Sequence, residues 1–193
     1  MENNSQFEAR FTLLPGEIWA KIAKIDEIKG RWTGGLKLSP QILIRLKKSV
    51  LVTSSGASTR IEGSKLSDAE VESFIQGVKP GKWESRDEQE VQGYYELLSN
   101  VFDVWRALSF SESAIKHFHK ELLKYVEKDE RHRGEYKKGE NLVKMFDTEG
   151  KEIGVVFETT PAYLTPKKMQ ELVSFTLTAL EEKKIHSLLV IGN

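Results

Sequence analysis

Apolar residues along this chain recur mostly at three- and four-residue intervals, the spacing that lines one face of an α-helix. Ile18, Ile22, Ile25 and Ile28 mark a first helix over about Glu17 to Lys29, and Gly30 with the pair Gly34-Gly35 is expected to end it. Ser39-Pro40 supplies an N-cap and a first-turn proline, which predicts a second helix with Leu43, Leu46 and Val50 on one face. Thr53 to Ser58 is small and polar and reads as a loop. Ser67-Asp68-Ala69-Glu70 and Ser85-Arg86-Asp87-Glu88 are both capping boxes, in which a hydroxyl and a carboxylate satisfy each other's orphan amides. The first opens a short helix through Phe74 and Ile75, stopped by Gly77 and Lys79-Pro80-Gly81. The second opens the clearest helix of the chain, whose stripe of Val91, Tyr94, Tyr95, Leu98, Val101, Phe102, Trp105 and Leu108 is expected in the core. Another helix from about Glu112 places Ile115, Phe118, Leu122 and Val126 inward.

The pattern changes after Arg131-His132-Arg133-Gly134. From Asn141 to Glu158 it alternates and is rich in β-formers, with Val143 and Met145 before, and Ile153, Val155 and Phe157 after, the turn Asp147-Thr148-Glu149-Gly150. That predicts a β-hairpin. Thr165-Pro166 then caps a helix carrying Met169, Leu172, Val173, Thr176 and Leu180. Leu188-Leu189-Val190-Ile191 reads as an apolar helix that has barely begun at the end of the sequence, where polar residues are commoner, and the expectation is a chain that stops short. The fold class expected is mainly α with one β-hairpin.

Composition narrows the function classes. The 193 residues fit one domain or a domain with a subdomain, and 39% hydrophobic residues suffice for a core. Lys and Arg number 29, as do Asp and Glu, so the basic excess that a general nucleic-acid binder needs is lacking. There is no cysteine, which excludes disulfides and thiolate metal sites. The polar start Met1-Glu2-Asn3-Asn4-Ser5 is not a signal peptide, no apolar run reaches spanning length, and a cytoplasmic protein without membrane partner is expected. The four histidines show no metal-ligand spacing. His119, among Ile115, Phe118 and Leu122, is read as a hydrogen-bonded core residue rather than a catalyst.

The segment with most chemical content is Ser58-Thr59-Arg60-Ile61-Glu62-Gly63, which sets a hydroxyl and a carboxylate four residues apart, on one side of a helical turn. Alone, so short a pattern fits an ordinary helix end with an exposed carboxylate. It also resembles the inhibitory S/T-x-x-x-E-G/N motif of Fic-family proteins. Two more segments follow in the family's order. Arg133-Gly134-Glu135-Tyr136-Lys137, the hairpin and Phe157-Glu158-Thr159-Thr160-Pro161 resemble its flap region; Thr165-Pro166-Lys167-Lys168-Met169-Gln170-Glu171-Leu172 is similar to the stretch before its catalytic helices. The resemblance runs from about Trp19 to Asn193 and implies a helical N-terminal region with an inhibitory helix over 1–84. Residues 85–193 would be the beginning of a Fic helical core with its flap over about 141–158.

Fic enzymes transfer AMP from ATP, with Mg²⁺, to Tyr, Thr or Ser hydroxyls of target proteins. The motif that does so, H-x-F-x-D/E-G-N-G-R-x-x-R, is absent here, and His117-Phe118-His119 does not match it. The resemblance therefore assigns no catalytic residue and no metal ligand, and neither ATP nor Mg²⁺ is expected to bind this chain alone. What it assigns is regulation. Glu62 would pair with the final arginine of the catalytic motif, a bond that can be bidentate; Ser58 would anchor the turn and Gly63 would permit its exit. Val143, Met145, Val155 and Phe157 of the flap would hold the target protein by strand-like pairing. The reading is a regulatory and target-binding part of a protein adenylyltransferase. The alternative is a stand-alone helical interaction module, or an inhibitor acting in trans on a Fic catalytic chain or as a homodimer, with Leu188 to Ile191 as interface.

Overall fold

The computed structural model describes residues 7, 9–11, 14–35, 38–77 and 85–192. Seven α-helices and one hairpin are seen among them, in the order α1 (Gly16–Gly35), α2 (Pro40–Ile61), α3 (Asp68–Ile75), α4 (Arg86–Val104), α5 (Glu112–Leu122), β1 (Leu142–Phe146), β2 (Glu152–Glu158), α6 (Thr165–Glu182) and α7 (Ser187–Ile191). This is the mainly helical architecture with one hairpin that the periodicity predicts.

The caps work as the sequence implies. Ser39 Oγ accepts the Ile42 amide at the start of α2. Ser67 with Glu70, and Ser85 with Glu88, both close reciprocal capping boxes. Thr165 is different: Leu164 holds the cap position without a side-chain bond, and the Thr165 hydroxyl donates back to the Pro161 carbonyl from inside the first turn. The stop expected at Lys79-Pro80-Gly81 lies outside the described residues, whereas Gly77 does leave α3 with a positive φ of 69°.

Two helix assignments are corrected. Gly30 does not end α1, which continues to Gly35, because a single interior glycine costs only about 1 kcal/mol. Thr53 to Ser58 is not a loop. It is the interior of α2, and its small residues are what bring α2 close to its neighbours: Ser55 and Gly56 are buried there, as is Thr59 one turn on. Thr53 and Thr59 satisfy their hydroxyls on carbonyls of the preceding turn, Ser49 and Ser55, so the polar side chains do not compete with the helix.

The first core cluster is Val52 of α2, Val71 of α3 and Val91 of α4, with Leu66, Phe74 and Ile75 packed around it. Full burial of each valine is worth about 1.5–3 kcal/mol, so this trio fixes how the three helices meet. Gly93 brings α4 against α5: a Cβ there would overlap the Leu122 carbonyl. Glu96 of α4 then accepts the Tyr125 hydroxyl at 2.8 Å and pairs with Lys124, beyond the end of α5. Burial opposes ionisation of Glu96, but hydrogen bonds from Lys124, Gln92 and Tyr125 outweigh it and hold its carboxyl below the usual range.

The second cluster is Phe175 and Ala179 of α6 with Val190 of α7, joined by Phe7, Phe11 and Ile185. Leu189 and Val190 are therefore turned into their own chain, which removes half of the apolar run Leu188 to Ile191 from the interface expected in the alternative reading. α1 is tied down by the burial of Ile22 and by His186, whose Nε2 meets Asp26 at 3.2 Å while its Nδ1 caps α7. The end of the α4 stripe departs from expectation. Phe102, Trp105 and Leu108 are exposed, as are Leu43, Leu46 and Val50 of α2, because no described element covers these faces.

Candidate functional site

The C-terminal turn of α2 carries the Ser58–Gly63 segment and does so in a fixed conformation. Glu62 occupies the C-cap, with φ −85° and ψ 4°. Its amide donates to the Thr59 carbonyl, the Gly63 amide to Arg60 and the Ser64 amide to Thr59, so the Thr59 and Arg60 carbonyls of the last turn are satisfied. Gly63 adopts φ 102°, a left-handed conformation that a side chain would strain, and turns the chain off the helix. Beyond it, Arg60 folds forward: Nη1 donates to the Leu66 carbonyl at 3.0 Å and Nη2 pairs with Asp68 at 2.9 Å. Gly56 leaves room for that pair, since a Cβ there would stand 2.8 Å from both the guanidinium and the carboxylate.

α4 holds the same turn from the side. Ser58 Oγ donates to Tyr94 Oη at 2.9 Å, and the Lys65 amide donates to Asp87 Oδ2 at 2.8 Å. Between the end of α2, the first turns of α4 and the end of α5 lies an open cleft of about 540 Å³, with Glu62 and Gly63 in its wall. The Glu62 side chain is exposed and makes no hydrogen bond or ion pair among the described residues.

Charge in the cleft is mainly negative. Glu62, Asp87 and Glu90 contribute carboxylates, and Arg86, the one lining guanidinium among the described residues, is already engaged by Glu90 at 2.6 Å and Asp129 at 3.2 Å. Those partners, Glu90 first, raise the Arg86 pKa further. His119 also lines the cleft; its Nδ1 accepts the Gly134 amide at 3.0 Å, the hydrogen-bonded role expected of it. The arrangement suits a cation and disfavours a polyphosphate. No group of three or more metal-ligating side chains occurs among the described residues.

The four hairpin residues are placed apart from this cleft and only partly together. Val143 stands directly opposite Phe157, but bulges shift the register, so Met145 faces Gly154 and Val155 faces Lys144. All four are exposed. The base of the hairpin is clamped by Thr159, whose hydroxyl donates to the Asn141 carbonyl at 2.6 Å, and by Lys137, which bridges Asn141 and Thr159. At the tip, Asp147 Oδ1 accepts the Glu149 and Lys151 amides, each at 2.9 Å.

Sequence reasoning singles out Ser58, Glu62 and Gly63 but not Arg60, Asp87 and Tyr94, whose side chains bond to this turn and the residues just after it. Asp87 reads locally as a first-turn acid and Tyr94 as part of an apolar stripe. Their contacts, to Lys65 just past α2 and to Ser58 within it, span 22 and 36 positions in the chain, a separation that local pattern does not encode.

No family model matches the chain, and no curated protein does. Solved structures do. A Fic family protein from Desulfovibrio desulfuricans G20 superposes with a TM-score of 0.66 at 25% identity, over 92% of this chain and 49% of that one. A Fic domain containing signaling protein from Bacteroides thetaiotaomicron VPI-5482 gives 0.65 at 19%, over 83% of this chain and 58% of that one. The chain thus spans about half the length of the solved structures it matches. These superpositions show a Fic-like fold and support a relationship to the Fic family.

Proposed function

We propose that this chain is the regulatory and target-binding part of a Fic-type protein adenylyltransferase. The observation that carries the reading is Glu62: a carboxylate with no partner among the described residues, at a helix end, in the wall of an acidic cleft. An arginine supplied by a Fic catalytic motif would meet Glu62 there, beside Asp87 and Glu90, which the Lys65 amide and Arg86 already engage. A bidentate guanidinium–carboxylate pair at Glu62 is directional as well as strong, and an arginine held in it is withheld from nucleotide phosphates. Ser58 keeps the last turn of α2 in place, and Gly63 ends it so that the carboxylate stands clear of the helix.

The hairpin would serve the target. A two-stranded ribbon has two free edges of amides and carbonyls, and an extended segment of another protein can add to either one. Val143, Met145, Val155 and Phe157 would then give the added strand an apolar neighbour. Recognition of this kind reads backbone before side chain, which fits an enzyme that must present a hydroxyl-bearing segment whatever its sequence.

The chain contains no Gly-Asn-Gly-Arg segment, so it is expected not to label proteins with AMP by itself. The test of the reading is a polypeptide in which this chain is joined to a Fic catalytic motif. There Glu62→Gly should raise AMP transfer from labelled ATP at least tenfold, the effect of about 1.4 kcal/mol or more in the competing pair. Flat activity would remove Glu62 from any inhibitory role.

A further inference from the structure

We propose that Tyr94 and Asp87 are positioning residues for the Glu62 carboxylate, so that α4 decides how firmly the inhibitory pair can form. This rests on the reading of Glu62 given above. The difficulty it addresses is general. The last turn of a helix is where local opening costs least, and a carboxylate carried on a frayed end pays an ordering cost each time it binds. Glu62 sits on such a turn, at the surface, with its side chain unheld.

The structure removes the freedom from both sides. Four residues before Glu62, the Ser58 hydroxyl is held by Tyr94 Oη; three residues after it, the Lys65 amide is held by Asp87 Oδ2. Tyr94 and Asp87 are seven residues apart on one helix, two turns, and therefore share a face. That face is a ruler against which the α2 end is set. The capping box of Ser85 and Glu88 fixes where the ruler begins, and Val91, fully buried between the two anchors, fixes its distance from α2. The two bonds differ in kind. The Asp87 bond is charge-assisted and goes to a backbone donor that no regular element satisfies, whereas the Tyr94 bond joins two neutral hydroxyls. Loss of Asp87 should therefore loosen the turn more than loss of the Tyr94 hydroxyl.

Amide hydrogen exchange in the 193-residue chain reads the anchoring directly. Asp87→Asn should speed exchange at Lys65 roughly tenfold or more, and Tyr94→Phe should speed it several-fold at Glu62 and Gly63, with Val91 and Val126 unchanged. Ser58→Ala removes the same bond from its other end and should reproduce Tyr94→Phe. Unchanged exchange at residues 62–65 in all three variants overturns the anchoring. In the joined polypeptide, Tyr94→Phe and Asp87→Asn should each raise AMP transfer part of the way to the Glu62→Gly level and add nothing in the Glu62→Gly background. A purely structural role would act equally in both backgrounds, and that result overturns the proposal. If Glu62→Gly raises activity and neither anchor variant does, the positioning role is wrong while the role of Glu62 stands. If Glu62→Gly itself has no effect, the reading of Glu62 fails and exchange alone judges the anchors.

Discussion

Ser55 and Gly93 show how much a single atom decides at helix contacts in this protein. The Ser55 side chain is fully buried, and its hydroxyl has no hydrogen-bond partner among the described residues. A hydroxyl desolvated without a partner costs about 1–3 kcal/mol. Ser55→Ala should therefore stabilise the chain by about 1 kcal/mol, seen as a higher urea midpoint at unchanged slope. Gly93 is the opposite case. Its missing Cβ is the space that the Leu122 carbonyl occupies, and backbone cannot swing aside as a side chain can. Gly93→Ala should destabilise by about 2–3 kcal/mol despite the better helix propensity of alanine, a sign reversal that urea denaturation would show.

Among the elements, α2 carries the clearest lesson. Its middle looks like a loop because serine, threonine and glycine are poor helix formers. It is helical because the two ends are strongly specified and the middle packs. Ser39 and Pro40 start it, Arg60 and Gly63 stop it, and small side chains are what the contact with α3 and α4 admits. Thr53→Pro separates the two descriptions. A loop would accept it; in this helix it should cost about 3 kcal/mol or more and reduce far-UV helical signal. The hairpin was legible for a complementary reason. Its alternation and its Asp147–Gly150 turn are local, and both strands and turn lie where the pattern puts them. Its register was not legible, because bulges at Val143/Lys144 and Met145/Phe146 break the simple pairing of alternate residues.

Over the whole molecule, charge is balanced and the ionic contacts that matter are those joining elements. Glu96 is the best placed, since it ties α4 to Lys124 and Tyr125 past the end of α5. Its carboxyl is held below the usual range, so it binds protons less readily folded than unfolded. The contribution to stability is present above the unfolded carboxylate pKa and lost as pH falls through the lower folded value. Glu96→Gln should therefore make stability less dependent on pH between about 5 and 3, measured as urea midpoints across that range. None of the described helices is long and apolar enough to cross a membrane. Trp19, Trp32, Leu43, Phe102 and Trp105 are nonetheless exposed at positions whose spacing is that of a buried face.

Sequence alone determined whatever is local: the caps at Ser39, Ser67 and Ser85, the hairpin turn, and the helical class. These depend on residues within about four positions of one another, where backbone hydrogen bonds and sterics act. Only tertiary structure decided that Thr53 to Ser58 is helical, that Phe102 and Trp105 lie outside the core, and that Asp87 and Tyr94 grip the end of α2. An apolar stripe says that a face can be buried but not what covers it, and a hydrogen bond across 22 or 36 positions exists only once Val52, Val71 and Val91 have brought their helices together.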